Sequence, residues 1–389
     1  MALDPDTLEQ LVETVRRFTN ERLIPNERKV EELNDIPPDI LQEMKDIGLF
    51  GLTIPEEYGG MGLGMEEEVK VIFEIGRAHG SYRSSFATTI GIGSQGIVID
   101  GTDAQKKTYL PRMATGELIG SFALTEPEAG SDAASLRTNA KKDGDDYVIN
   151  GSKRFITNAP RAGVFTVMAR TNPDEKGAAG ISAFLVEAGT KGLSIGKPDS
   201  KLGHHGTLTC DVNFDDVRVP KTAIVGGIEG MGFKTAMKVL DRGRLHIAAG
   251  ACGAADRLIT ECLNYAIERK QFGQPIADFQ LIQAMLADSK TEAYAAKCMV
   301  LDSARRRDLG ERITVEASCS KYFATEMVGR VADRAVQIFG GAGYITEYPI
   351  ERFYRDVRLY RLYEGTSQIQ QLIIARDMIK KAREKAGML

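Results

Sequence analysis

The 389-residue sequence contains no tryptophan, so no indole N–H can supply a polar edge to a ring contact anywhere in it. It lacks any apolar run approaching the roughly twenty residues a helix needs to cross a bilayer. Positive charge is in no surplus: 50 Lys and Arg against 54 Asp and Glu leave a formal net charge of −4, which argues against a nucleic-acid binder. The five cysteines, at 210, 252, 262, 298 and 319, form no Cys-x-x-Cys pair, so neither a zinc knuckle nor a disulfide framework is indicated. The four histidines include no His-Glu-x-x-His, and no metal site is expected. The N-terminus is acidic and lacks the basic-then-apolar pattern of a secretory signal, which makes a reducing cytoplasm the expected location.

What is present is an ordinary globular composition, 43% hydrophobic and 27% charged, in a chain long enough for two or three domains. Residues 1–120 read as helical: Asp4-Pro5 is an N-cap followed by proline, and Leu8, Leu11, Val12, Val15 and Phe18 recur at helical spacing. Gly91-Ile-Gly-Ser-Gln-Gly96 matches the dinucleotide fingerprint, but the strand, turn and helix around it that give the fingerprint meaning are missing. Close packing by small residues is the better account. From 121 to 230 the period changes to that of strands. Val164–Ala169, Ile181–Val186 and Leu208–Phe214 read as strands, and Asn150-Gly151 inside Tyr147–Ile156 signals a type I′ hairpin. Gly226–Gly232 is a glycine-rich joint. Beyond it, from 231 to 389, four long helical segments suggest an antiparallel bundle. The expected fold is therefore an α+β multidomain protein: an N-terminal α-helical domain, a middle antiparallel β-barrel or sandwich domain, and a C-terminal four-helix bundle.

Tyr363-Glu364-Gly365-Thr366-Ser367 precedes the last helix, whose apolar stripe is Ile369, Leu372 and Ile373. Thr366 or Ser367 can cap that helix, which places Glu364 at a helix junction. Helix punctuation accounts for these residues taken alone. A carboxylate beside an aromatic ring and withdrawn from water would instead have a raised pKa and could act as a base.

Phe122-Ala-Leu-Thr-Glu-Pro-Glu-Ala-Gly-Ser-Asp132 and Gln337-Ile-Phe-Gly-Gly-Ala-Gly-Tyr344 through Tyr363-Glu-Gly-Thr-Ser-Gln368 closely resemble the two signature regions of the acyl-CoA dehydrogenase family. Arg154-Phe-Ile-Thr-Asn158 and Glu268-Arg-Lys-Gln-Phe-Gly273 resemble further family motifs, in the family's order and over nearly the whole chain. The resemblance implies FAD as cofactor, a homotetramer built as a dimer of dimers, an acyl-CoA substrate and electron-transferring flavoprotein as acceptor. It implies FAD contacts at Phe122, Leu124, Thr125, Gly130 and Ser131, and at Phe155, Ile156 and Thr157 beside the flavin ring. It further implies them at Arg269, Phe272, Phe279, Gln280, Gln337, Gly340 and Gly341 across a subunit interface, and at Thr366 and Gln368. For the thioester it implies Ser131, Asp241, Arg244, Tyr363 and Gly365.

By the same resemblance Glu364 removes the α-proton while the β-hydrogen leaves as hydride to the flavin, giving a trans-2-enoyl-CoA. Some members carry the base just before the arginine that matches Arg244. Here that position is Gly243, which favours Glu364 and the straight-chain branch, with a short or medium acyl chain. Phe155 stands where many members have tryptophan, and Phe122 replaces a common tyrosine. Gly80-Ser-Tyr-Arg-Ser84 is similar to a segment of glutaryl-CoA dehydrogenases, in which the arginine matching Arg83 pairs with a distal carboxylate, although Ala87 replaces their supporting serine. Arg83 thus either binds an acidic tail, pairs with an acid such as Glu74, or points to solvent. An acyl-CoA oxidase on the same residues is the competing enzyme class; those enzymes are usually longer, which favours a dehydrogenase. A non-enzymatic helical scaffold would leave Glu364 and the spaced glycines without a purpose.

Overall fold

A computed structural model describes residues 3–175 and 177–387. Seven helices lead the chain: α1 (Pro5–Phe18), α2 (Glu27–Leu33), α3 (Pro38–Asp46), α4 (Met65–Ile75), α5 (Gly80–Thr88), α6 (Gln95–Asp100) and α7 (Asp103–Ala114). Asp4 caps α1 by accepting from the Thr7 N–H at 3.0 Å, as its spacing suggests. Of the fingerprint-like glycines, Gly91 and Gly93 lie between α5 and α6 and Gly96 in the first turn of α6, with no strand before them. A Cβ on Gly93 would sit 3.0 Å from the Gly120 carbonyl carbon, so the glycine serves a close approach to the sheet.

The middle of the chain forms one seven-stranded sheet: β1 (Gly120–Ala123), β2 (Asn139–Asp143), β3 (Asp146–Thr157), β4 (Val164–Arg170), β5 (Ile181–Glu187), β6 (Leu193–Ile195) and β7 (Thr209–Pro220). The order is β1-β4-β2-β3-β7-β6, with β5 also pairing β4. The pairs β2–β3, β3–β7, β6–β7 and β4–β5 are antiparallel, whereas β1 runs parallel to β4. Alternate residues of β4 enter different cores, Phe165, Val167 and Ala169 on one face and Val164 and Met168 on the other. Both faces are covered, which explains the unbroken apolar run there.

The hairpin expected at Asn150-Gly151 does not form. β3 runs straight through it, with a register shift against β7 between Ile149 and Gly151. A Cβ at Gly151 would lie 2.7 Å from the Thr138 Cα, so glycine is needed for strand contact, not for a turn. The turn lies earlier, at Gly144 between β2 and β3, where φ is +63°.

Four long helices follow: α8 (Gly232–Glu268), α9 (Gln280–Asp308), α10 (Thr314–Phe339) and, after the short α11 (Ile350–Val357), α12 (Ser367–Lys385). α10 packs on α8, α9 and α12, and α4 packs on α8, so one apolar core joins the first and last thirds of the chain. None of the described helices is long and apolar enough to cross a membrane.

The crossing of α4 and α8 rests on glycine. A Cβ on Gly253 would meet the Phe73 carbonyl oxygen at 2.4 Å and Gly76 at 2.8 Å, all backbone that cannot swing aside. Alanine would gain about 1 kcal/mol of helix propensity, but overpacking costs about 1–3 kcal/mol, so the clash wins. Gly253→Ala is expected to lower the denaturation midpoint; an unchanged or raised midpoint in urea would show that the two helices separate without cost.

Candidate active site

Glu364 sits between a 3₁₀ turn at Arg358–Arg361 and α12, with Thr366 capping α12 by accepting from the Ile369 N–H at 3.2 Å. Its φ of +52° is left-handed, a conformation a non-glycine residue adopts only when its surroundings impose it. Lys321 Nζ donates to the Gly365 carbonyl at 2.8 Å, and Gln370 Nε2 donates to the carbonyls of Glu364 and Gly365 at 3.2 and 3.1 Å. These bonds turn both carbonyls away from the cleft. Among the described residues the Glu364 N–H takes part in no hydrogen bond.

The Glu364 carboxylate rests on α8. A Cβ at Gly243 would stand 2.0 Å from Glu364 Oε2, so the glycine that cannot be a base is also the seat of the carboxylate. Oε2 is buried without a hydrogen-bond partner. Burial raises the Glu364 pKa above its ordinary 4.5, and the opposing pull of Arg83, Lys321 and Arg244 does not cancel it.

Glu364 opens on a cleft of about 420 Å³ between the sheet, α5, α8 and the start of α12. The cleft gathers Phe122, Leu124, Thr125, Gly130, Ser131, Phe155, Ile156 and Thr157 from the sheet side. From the helical side come Arg83, Arg244, Tyr363 and Gly365. The loop carrying Thr125 is held by the next residue: Glu126 accepts from the backbone N–H groups of Arg137 and Thr138 at 2.6 and 2.9 Å and from Lys153 Nζ at 2.8 Å. Glu126, the first of three acids in that signature segment, is therefore an anchor. Phe155 stands 58% exposed at a left-handed φ of +59°, with the Arg154 guanidinium 4.8 Å from its ring centroid.

Other expected site residues do not reach the cleft. Asp241 instead accepts from Arg244 at 2.5 Å and from Thr314 at 2.9 Å, which fixes the arginine. Arg269, Phe272, Gln280, Gln337, Gly340 and Gly341 lie exposed on the helical bundle, with Phe279 half-buried beside them. Thr366 and Gln368 lie at the start of α12, outside the cleft.

Arg83 follows neither simple alternative. It is 3% exposed, so it does not face solvent, and Glu74 is taken by Arg16 and Arg77, each at 3.1 Å. Its Nη2 donates to the Tyr363 hydroxyl at 2.7 Å, its Nε has no partner, and it forms no ion pair with a described acid. Arg242, which the resemblance places in the same CoA-binding run as Asp241 and Arg244, lines the cleft, as do Glu68, His246 and His204, which sequence reasoning missed. Glu68 meets Arg242 and His246, 174 and 178 residues away, so no local pattern could have announced the cluster.

Family models described as the N-terminal, middle and C-terminal domains of acyl-CoA dehydrogenase match residues 5–117, 121–217 and 230–379. A "3-(aryl)acrylate reductase" of Clostridium sporogenes is 43% identical over 94% of this chain and 96% of its own. An "acryloyl-CoA reductase (NADH)" of Anaerotignum propionicum is 42% identical over 96% of this chain and 94% of its own. Among solved structures, butyryl-CoA dehydrogenase from Megasphaera elsdenii superposes with a TM-score of 0.93 at 34% identity, covering 97% of this chain and all of the other. With a buried carboxylate set over a glycine of α8 at the end of a cleft floored by both signature segments, the chain belongs to the acyl-CoA dehydrogenase family of oxidoreductases.

Proposed function

We propose that this protein oxidises a short or medium straight-chain acyl-CoA to the trans-2-enoyl-CoA, with FAD as cofactor and electron-transferring flavoprotein as acceptor. The carrying observation is the Glu364 carboxylate held over Gly243 at the cleft, its Oε2 buried without a partner. A thioester α-proton is far less acidic than a carboxylic acid, so its removal calls for a base of raised pKa and for stabilisation of the enolate charge. Burial supplies the first. The free Glu364 N–H, in a turn whose carbonyls Lys321 and Gln370 hold, is suited to the second as a donor to the thioester oxygen.

The residues fit the cofactor. Phe155 presents a broad exposed ring to the cleft, and a Cβ at Gly130 would meet no atom within 4 Å, which leaves room for backbone to approach a ligand. Phe122, Thr125, Ser131, Ile156 and Thr157 would hold the flavin portion against that wall. The chemistry FAD supplies when bound is acceptance of the β-hydrogen together with its electron pair. The outlying candidates Arg269, Gln280, Gln337, Gly340 and Gly341 share their surface with Phe272, 94% exposed, and Tyr344, 83% exposed. Their exposure supports a tetramer in which they meet a neighbour's cofactor.

One observation favours a second reading, a substrate with a distal carboxylate. Arg83 is buried without an acid, and breaking a buried ion pair to leave such a charge costs about 3–5 kcal/mol, which an anionic tail would recover. Turnover of glutaryl-CoA against butyryl-, hexanoyl- and octanoyl-CoA decides between the readings. Peroxide formed per substrate separates a dehydrogenase from an oxidase.

Two variants test the base. Glu364→Gln is expected to lower kcat by at least about a hundredfold with FAD still bound, as removal of general-base catalysis does. In the wild type the acid limb of kcat/KM should fall above pH 4.5, because the base must be ionised and its pKa is raised. The same substitution removes a buried acid whose raised pKa opposes folding above that pH, so stability should hold or rise. Normal turnover in Glu364→Gln would end the assignment. Gly243→Ala should displace the carboxylate and cost about a hundredfold in kcat/KM through misplacement alone, checked by steady-state kinetics on folded, FAD-loaded protein.

A further inference from the structure

The residues lining the cleft carry more unpartnered polar atoms than a hydrocarbon acyl chain could satisfy, and one face of α8 sets the spacing of two of the groups involved. Gly243, His246 and Gly250 fall at i, i+3 and i+7 of that helix, so they share a face. Gly243 seats Glu364, and a Cβ on Gly250 would lie 3.1 Å from Arg83 Cδ, so Gly250 seats the arginine stem. With a rise of about 1.5 Å per residue, His246 stands roughly 4.5 Å along the axis from the base's seat and roughly 6 Å from the arginine's. The guanidinium itself turns back towards the base, since it meets the hydroxyl of Tyr363, next to Glu364 in the chain, at 2.7 Å. His246 is thus placed between base and arginine, at the depth of an acyl chain's first few carbons.

The ring is aimed. Its Nδ1 lies 2.7 Å from Glu68 Oε1, and Glu68 also accepts from Arg242 Nε at 2.7 Å. Burial alone would push Glu68 up, but Arg242 and His246 outweigh it and hold it at about 2, so the carboxylate is ionised. Nδ1 therefore carries the proton it donates, and Nε2 of this cleft-lining residue is left buried without a partner. His204 also lines the cleft, both its ring nitrogens without partners. Its ring stands edge-on to Tyr360 at 5.7 Å, the same ring whose centroid lies 5.8 Å from the Arg83 guanidinium carbon. Buried polar groups without partners are rare in folded proteins, and three residues that line this one cleft, His246, His204 and Arg83, carry four of them. A hydrocarbon tail would strand them all.

We infer that His246, positioned by Glu68, is a specificity-determining residue that hydrogen-bonds an oxygen substituent a few carbons along the acyl chain, with Arg83 and His204 completing the subsite. The inference rests on the proposed acyl-CoA oxidation at Glu364 and narrows its substrate class. A hydroxyl meets the inventory directly, donating to His246 Nε2 while accepting from the Arg83 guanidinium. A carboxylate accepts from Arg83 and from a histidine N–H, and needs a proton on Nε2 to engage His246.

The test uses FAD-loaded enzyme with butyryl-, 4-hydroxybutyryl- and glutaryl-CoA. The wild type is expected to show a higher kcat/KM for one of the oxygenated thioesters than for butyryl-CoA, and which one it is identifies the hydroxyl or the carboxylate as the partner. In His246→Leu that preference should shrink by about tenfold to a hundredfold, mainly through KM, the scale of a buried hydrogen bond left unmade. His246→Gln, which keeps a hydrogen-bonding tip, should restore part of it. A preference for butyryl-CoA in the wild type, or an unchanged ratio in folded His246→Leu, would overturn the inference and leave the dehydrogenase reading standing. No oxidation of any of the three, nor of hexanoyl- or octanoyl-CoA, by FAD-loaded wild type would overturn both.

Discussion

A carboxylate withdrawn from water and held in a left-handed turn is costly twice over, once in solvation and once in backbone strain. Glu364 persists in that state because three separate elements hold it. Lys321 on α10 and Gln370 on α12 bind the carbonyls on either side of the turn, and α8 offers a surface bare enough for the carboxylate to rest on. Glycines inside a helix each cost about 1 kcal/mol relative to alanine. α8 nevertheless carries Gly243, Gly250 and Gly253, and at each a Cβ would meet a neighbour: the carboxylate of Glu364, the stem of Arg83, the backbone of α4. Helix stability is given up where side chains or backbone from elsewhere must come close.

The same economy separates structural charge from functional charge. Lys153 is wholly buried, but Glu126 receives it; Arg242 has Glu68, and Arg244 has Asp241. Each pair fixes a loop or a helix face beside the cleft. Arg83 breaks the pattern, with a phenol for a partner and two aromatic rings around it. Its charge also lowers the Glu364 pKa against the effect of burial, so an anion drawn to Arg83 would remove that opposition and strengthen the base. With an anionic tail as proposed above, substrate recognition and base activation would be coupled through one residue.

How much of this could be read in the chain follows from the range of the interactions. The α12 cap, the α1 cap and the helical stripes are local, and the sequence states them directly. Asn150-Gly151 misled because its dipeptide suits a tight turn, whereas the glycine answers to Thr138 on the neighbouring segment, which no local pattern records. The parallel placement of β1 against β4 is likewise a matter of topology. At the site, the motifs brought Glu364, Phe155 and Thr125 to the cleft by resemblance, but the anchoring role of Glu126 and the Glu68–His246 contact are visible only once distant segments meet. Arg83 stood out in sequence as a question, and only its surroundings remove solvent and Glu74 as answers.

Gly243 and Glu364 are best regarded as one feature. A carboxylate on α8 at 243 would occupy the space Glu364 now fills, and two like charges about 4 Å apart at an effective dielectric of 20 repel by about 4 kcal/mol. One of the two would be protonated or expelled. A base on the turn before α12 therefore requires a residue without a side chain on the helix, and the left-handed turn at 364 is what brings the carboxylate onto that bare helix face. Because the seat lies on α8, the base is in fixed register with His246 and with the bed of Arg83 further along the same face. Under the proposed chemistry, the distance from the carbon that loses its proton to the group that recognises the tail would be set by the helical rise, through the spacing of residues 243, 246 and 250.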